Sequence, residues 1–108
     1  MNHKCTDQIV DELYRVICER RDNPRQGSYV SSLFQKGSDH ILKKVGEESC
    51  EVILAAKNDD QPALIHELAD LTFHILVLMA EQNIPPSAIK SELKRRFGTS
   101  GLTEKANR

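Results

Sequence analysis

The chain predicts an all-α fold, a helical bundle of four to five helices completed by dimerisation, and three observations predict it. Apolar residues recur at three- and four-residue spacing along most of its length, and no stretch sustains the alternation of a β-strand. Clusters of Gly, Pro, Asn and Asp divide the chain into segments of helical length. One of those segments, from Leu68 through Ala80, is apolar on nearly every side apart from Asp70, Thr72 and His74, so it needs cover all round. A chain of 108 residues supplies few helices to cover it, and a second copy related by two-fold symmetry is the simplest remedy.

The elements follow in order. Thr6 or Asp7 is placed to cap a first helix running to about Arg21, with Ile9, Val10, Leu13, Val16 and Ile17 as its apolar stripe. Asp22 to Gly27, with Pro24 inside it, breaks the chain. Ser28 then caps a short helix from Tyr29 to Lys36, closed by Gly37 in the manner of a C′ glycine. Ser38 or Asp39 caps a long helix to about Lys57, apolar at Ile41, Leu42, Val45, Val52, Ile53 and Ala56. Gly46 lies inside it, where glycine costs about 1 kcal/mol relative to alanine; either close packing or a ligand passing over it accounts for that choice. Asp60 caps the next helix, with Pro62 in its first turn, and the helix runs to about Gln82. After Ile84, Pro85 and Pro86, Ser87 caps a last helix from Ala88 to Phe97, closed by Gly98. The whole chain, 1–108, reads as one domain with a polar tail over about 99–108.

Composition narrows the function. A formal net charge of −1 provides no basic field of the kind nucleic-acid binders use. The three cysteines, Cys5, Cys18 and Cys50, lack metal-ligand spacing and suit a reducing compartment. The N-terminus has no apolar signal segment, and the apolar run from Leu71 to Ala80 is too short to span a bilayer. A soluble cytoplasmic protein, with no nucleic-acid or membrane partner, is the expectation.

The chemistry lies in two acidic patterns. Glu47, Glu48 and Glu51 fit E-E-x-x-E, and Glu67 and Asp70 fit E-x-x-D, at mirror-image positions about Asp59. Residues three or four apart share a helix face. If the two helices fold back on each other, Glu51 comes level with Glu67 and Glu48 level with Asp70. Carboxylates held so close call for a cation, and the donor set suits magnesium, which takes oxygen ligands and leaves positions for substrate phosphates. Four or five carboxylates exceed what one magnesium normally takes, so two or more ions are expected. Lys44 shares a stripe with Glu48 and Glu51, where it can neutralise them or meet a phosphate. Lys43 stands beside it, and the Lys36-Gly37-Ser38 turn offers either a phosphate contact or a plain helix cap. His66, Asp70 and His74 recur at i,i+4; this allows a second ligand set, although an interface histidine is the commoner case. No Glu-x-x-His di-iron motif occurs.

The order and spacing of these residues resemble a known family. Ser28, Tyr29 and Val30, then Lys36 and Gly37, then Lys43 to Glu48, then Glu67 to Leu71 are similar to phosphoribosyl-ATP pyrophosphatases. So are Arg95 to Gly98, Ser100 to Leu102 and Glu104 to Ala106 near the end. These belong to the wider all-α nucleoside triphosphate pyrophosphohydrolases. The resemblance implies magnesium-dependent hydrolysis of phosphoribosyl-ATP to phosphoribosyl-AMP and pyrophosphate, the second step of histidine biosynthesis, by a stand-alone cytoplasmic enzyme. It implies Glu48, Glu51, Glu67 and Asp70 as metal ligands, and Glu47 as a further ligand or the base that positions water. Lys44, and with it Lys43 and Lys36, would meet the triphosphate.

Two other readings use the same residues. One is a house-cleaning pyrophosphohydrolase of non-standard nucleotides; the Lys36-Gly37 and C-terminal signatures argue against it. The other is a non-catalytic helical dimerisation module with an acidic face, against which stand the carboxylates on an apolar helix.

Overall fold

The computed structural model describes residues 8–97, and they form five helices: α1 Ile9–Asp22, α2 Tyr29–Lys36, α3 Ser38–Lys57, α4 Gln61–Glu81 and α5 Pro86–Arg95. Among the described residues no strand forms. The all-α expectation holds, and each helix lies within a few residues of its expected position. Gly98 and the polar tail lie outside the described residues, as do Thr6 and Asp7.

The caps divide into those that side-chain chemistry secures and those it does not. Ser28 caps α2 by accepting from the Ser31 N–H at 3.1 Å, and Asp60 caps α4 by accepting from the Ala63 N–H at 3.1 Å. Neither Ser38 nor Asp39 caps α3. Gly37 occupies that position, at φ 96°, where a side chain would be strained, and serves as the end of α2 and the start of α3 at once. Its N–H donates to Leu33 O and its carbonyl accepts from Ile41 N, each at 3.2 Å. The Ser38 hydroxyl instead donates to the Glu81 carboxylate, tying the start of α3 to the end of α4. Ser87 does not cap α5 either. The helix starts earlier, at Pro86, because the fixed φ of proline already suits a first turn.

Both long helices end without glycine. Asp59 and Asn83 adopt φ of 57° and 58°, a left-handed conformation that short Asx side chains tolerate. The 6→1 and 5→2 bonds of a Schellman motif close each end: Asp60 N to Ala55 O and Asp59 N to Ala56 O, then Ile84 N to Met79 O and Asn83 N to Ala80 O. Arg21 reinforces the second of these, donating to Ala80 O at 2.6 Å and Asn83 Oδ1 at 3.1 Å.

With so short a connection between them, α3 and α4 make an αα-hairpin, and they share the most extensive packing of any helix pair. The core gathers around the C-terminal half of α4. Leu76, Val77, Met79 and Ala80 meet Ile17 of α1, Leu33 of α2 and Ile41 of α3. Toward the Asp59 turn the hairpin is bare: Ile53, Leu54 and Ile65 are each more than half exposed, and Leu68 nearly so. Gly46 has open space where its Cβ would be, so close packing within the chain does not explain it. By length and composition alone α4 would suffice to cross a bilayer, counting the whole helix rather than its apolar run. Glu67 and Asp70, inside that helix, would be costly there.

Candidate active site

α4 brings three of its own side chains together. His66, Glu67 and Asp70 present one ligand atom each, all within 4.8 Å of one another, and His66 Nε2 stands 3.7 Å from Asp70 Oδ2. The i,i+3 and i,i+4 spacing of a single helix face produces this grouping. Glu67 is half-buried and the Asp70 side chain 43% exposed, so the cluster is reachable from solvent. Two carboxylates and an imidazole grouped in this way are a donor set that could hold a divalent ion. The oxygens match magnesium, and the nitrogen is a donor that manganese or zinc would use more readily.

Glu47, Glu48 and Glu51 of α3 are not members of that grouping. Glu48 is the most enclosed of the three, its side chain 12% exposed, and it faces Lys44 at 3.8 Å. Glu47 lies 3.5 Å from the same ammonium, and Glu51 is exposed. Burial opposes the charge of Lys44, but the Tyr29 phenol and the carboxylates of Glu47 and Glu48 outweigh it and hold its pKa above the ordinary lysine value. Lys44 is therefore a fixed cation beside the acidic residues of α3. Lys43 and Lys36 are exposed. Lys36 closes α2.

His74 packs inside the single chain. It is buried, with both ring nitrogens engaged: Nδ1 lies 2.8 Å from the Asp70 carbonyl and Nε2 2.9 Å from the Tyr29 hydroxyl. A carbonyl can only accept, so Nδ1 carries the proton; in the neutral ring Nε2 then accepts from Tyr29. Phe73 packs edge-on to the imidazole at 5.2 Å and stacks on the Tyr29 ring at 6.2 Å. The Tyr29 ring is thereby held against the helical turn that carries Asp70, although Tyr29 itself is 49% exposed.

Sequence reasoning assigned no role to Tyr29 and left His66 outside the main ligand set. Its i,i+4 relation to Asp70 was legible in the sequence, where it allowed a second ligand set. Nothing local pointed to the Tyr29–His74 bond, which joins residues 45 positions apart.

The family model described as phosphoribosyl-ATP pyrophosphohydrolase matches residues 10–97. A protein of Trichlorobacter lovleyi named phosphoribosyl-ATP pyrophosphatase is 55% identical over 100 residues, covering 93% of each chain. One of the same name from Geobacter metallireducens is 51% identical over 102 residues, 94% of each. Another, from Listeria monocytogenes, is 55% identical over 95 residues, 88% of this chain and 91% of its own. The chain belongs to the phosphoribosyl-ATP pyrophosphohydrolase family.

Proposed function

We propose that this protein hydrolyses the α–β phosphoanhydride of phosphoribosyl-ATP, giving phosphoribosyl-AMP and pyrophosphate in histidine biosynthesis, as a soluble cytoplasmic enzyme. The observation that carries the reading is the family match across residues 10–97, which takes in both acidic patterns and Lys44. Water adds to a phosphorus of the anhydride, the bridging P–O bond breaks, and pyrophosphate leaves when the α phosphorus is the one attacked.

Glu48, Glu51, Glu67 and Asp70 hold magnesium in this reading, with His66 beside Asp70 at the rim. Magnesium, when bound, neutralises phosphate charge and makes its bound water more acidic. Glu47, or Glu48 when it is not a ligand, accepts hydrogen bonds from the attacking water and orients it. Lys44 donates to the phosphate chain; its present partners, at 3.5 and 3.8 Å, are loose enough to be exchanged for phosphate oxygens. Lys43 and Lys36 add cations at the rim.

The bare end of the α3–α4 hairpin supports a homodimer. Ile53, Leu54, Ile65 and Leu68 form an apolar surface at the Asp59 end, and a second copy of the same hairpin offers a matching one.

Pyrophosphate release from phosphoribosyl-ATP, measured beside ATP and dITP with and without magnesium, tests the reading. Magnesium-dependent release from phosphoribosyl-ATP, lost in Glu48→Gln, is expected. Release from dITP but not from phosphoribosyl-ATP would assign the site to nucleotide house-cleaning instead.

A further inference from the structure

Phosphoribosyl-ATP differs from ATP by a second ribose phosphate on the adenine, remote from the triphosphate. An enzyme that selects it needs a second anion contact, separate from the metal and Lys44. That contact must use a cation free to change partners, within reach of the acidic site and beside neutral hydrogen-bonding groups for the sugar.

One surface groove meets these conditions. It has a volume of about 560 Å³ and lies along the loop before α2 and the outer face of that helix, lined by Arg25, Gln26, Ser28, Tyr29, Ser32 and Gln35 among others. Tyr29 joins it to the acidic site, because its hydroxyl bonds the buried His74 and His74 bonds the carbonyl of Asp70. Arg25 is its cation, with the side chain 61% exposed. Its ion pair with Glu19, at 3.6 Å, is a surface contact of the kind that contributes little, so the guanidinium can turn to a phosphate at small cost. Arginine offers the planar fork of donors that phosphate oxygens take up in pairs. The Ser28 oxygen accepts from Ser31 N, which leaves its O–H to donate, while Gln26 and Gln35 each bring an amide.

We propose that this groove is the subsite for the phosphoribosyl end of the substrate, with Arg25 binding its 5′-phosphate and Tyr29 forming the wall between that subsite and the acidic site. The proposal rests on the functional reading above, and it makes Arg25 a specificity residue that the triphosphate does not touch.

The test is Arg25→Gln. The KM for phosphoribosyl-ATP should rise about 10- to 100-fold, the usual consequence of losing a hydrogen bond to a charged group. Its kcat should stay within about twofold, because the contact is the same in ground and transition states. ATP, as a competitive inhibitor, should keep its inhibition constant, and Arg25→Lys should recover part of the lost affinity. An unchanged KM, or a parallel weakening of ATP, would overturn the proposal. A second arm needs no turnover: ribose 5-phosphate should shift the backbone amide signals of Gln26, Ser28 and Tyr29 in the wild type and not in Arg25→Gln. Absence of those shifts, or equal shifts from inorganic phosphate, would overturn the ribosyl assignment. Failure of the wild type to release pyrophosphate would strike the functional reading, and the ribose 5-phosphate arm would still decide the groove.

Discussion

The two ends of the α3–α4 hairpin are made of similar residues and have opposite surroundings. At the end remote from the Asp59 turn, Ile41 and Val77 are fully buried beneath α1 and α2, and the buried His74 has partners for both nitrogens. At the Asp59 end, Ile53 and Ile65 are 60% and 61% exposed on the same two helices. Among the described residues there are three other helices, and α1 and α2 pack at the first end. Glu67 and Asp70 lie between the two regimes. One side of the candidate site is thus fixed by the core of a single chain, while the other borders an exposed apolar surface.

That contrast can be broken at either end. The largest effect is expected at the bare end: Ile65→Lys places a charge in the apolar surface and should convert a dimer to a monomer, read as a halved mass by light scattering, with helicity retained. A wild type that is already monomeric would end the two-copy account. Next comes the covered end. Ile41→Ala should cost about 2–5 kcal/mol in denaturant unfolding, the range for emptying a buried aliphatic site. If Leu68→Ala cost as much in a monomeric background, the two ends would not differ.

The boundary between the ends is tested by Tyr29→Phe. It leaves Nε2 of the buried His74 without its partner and should cost about 1–3 kcal/mol, with the aromatic stacking kept. The smallest effect lies in the last turn of α5. There Glu92 accepts from Arg95 at 2.6 and 3.0 Å and from Arg96 at 3.0 Å. These bonds hold its pKa down at about 2, against an ordinary value of 4.5. A carboxylate with a lowered folded pKa stabilises the folded state above the unfolded pKa and loses that contribution as pH falls through the folded one. Helicity of α5 should therefore decline slightly between about pH 4.5 and 2, and Glu92→Gln should remove that part of the titration.

By itself the sequence determined the helices and the acidic residues. Periodicity and breakers are local, so the spacing of Ile9 to Ile17, the Pro24–Gly27 break and the Ser28 and Asp60 caps were all legible before any packing was known. So were the two carboxylate patterns, because i,i+3 and i,i+4 neighbours share a helix face whatever the fold. Tertiary structure alone decided that Ser38 bonds Glu81 rather than capping α3, that His74 enters the core to meet Tyr29, and that Lys44 lies beside that phenol. It also decided that the carboxylates of α3 do not join the His66, Glu67 and Asp70 group of α4. Each of these depends on the distance and rotation between helices. Those are set by how side chains far apart in sequence fill a shared space, and no local pattern carries that information.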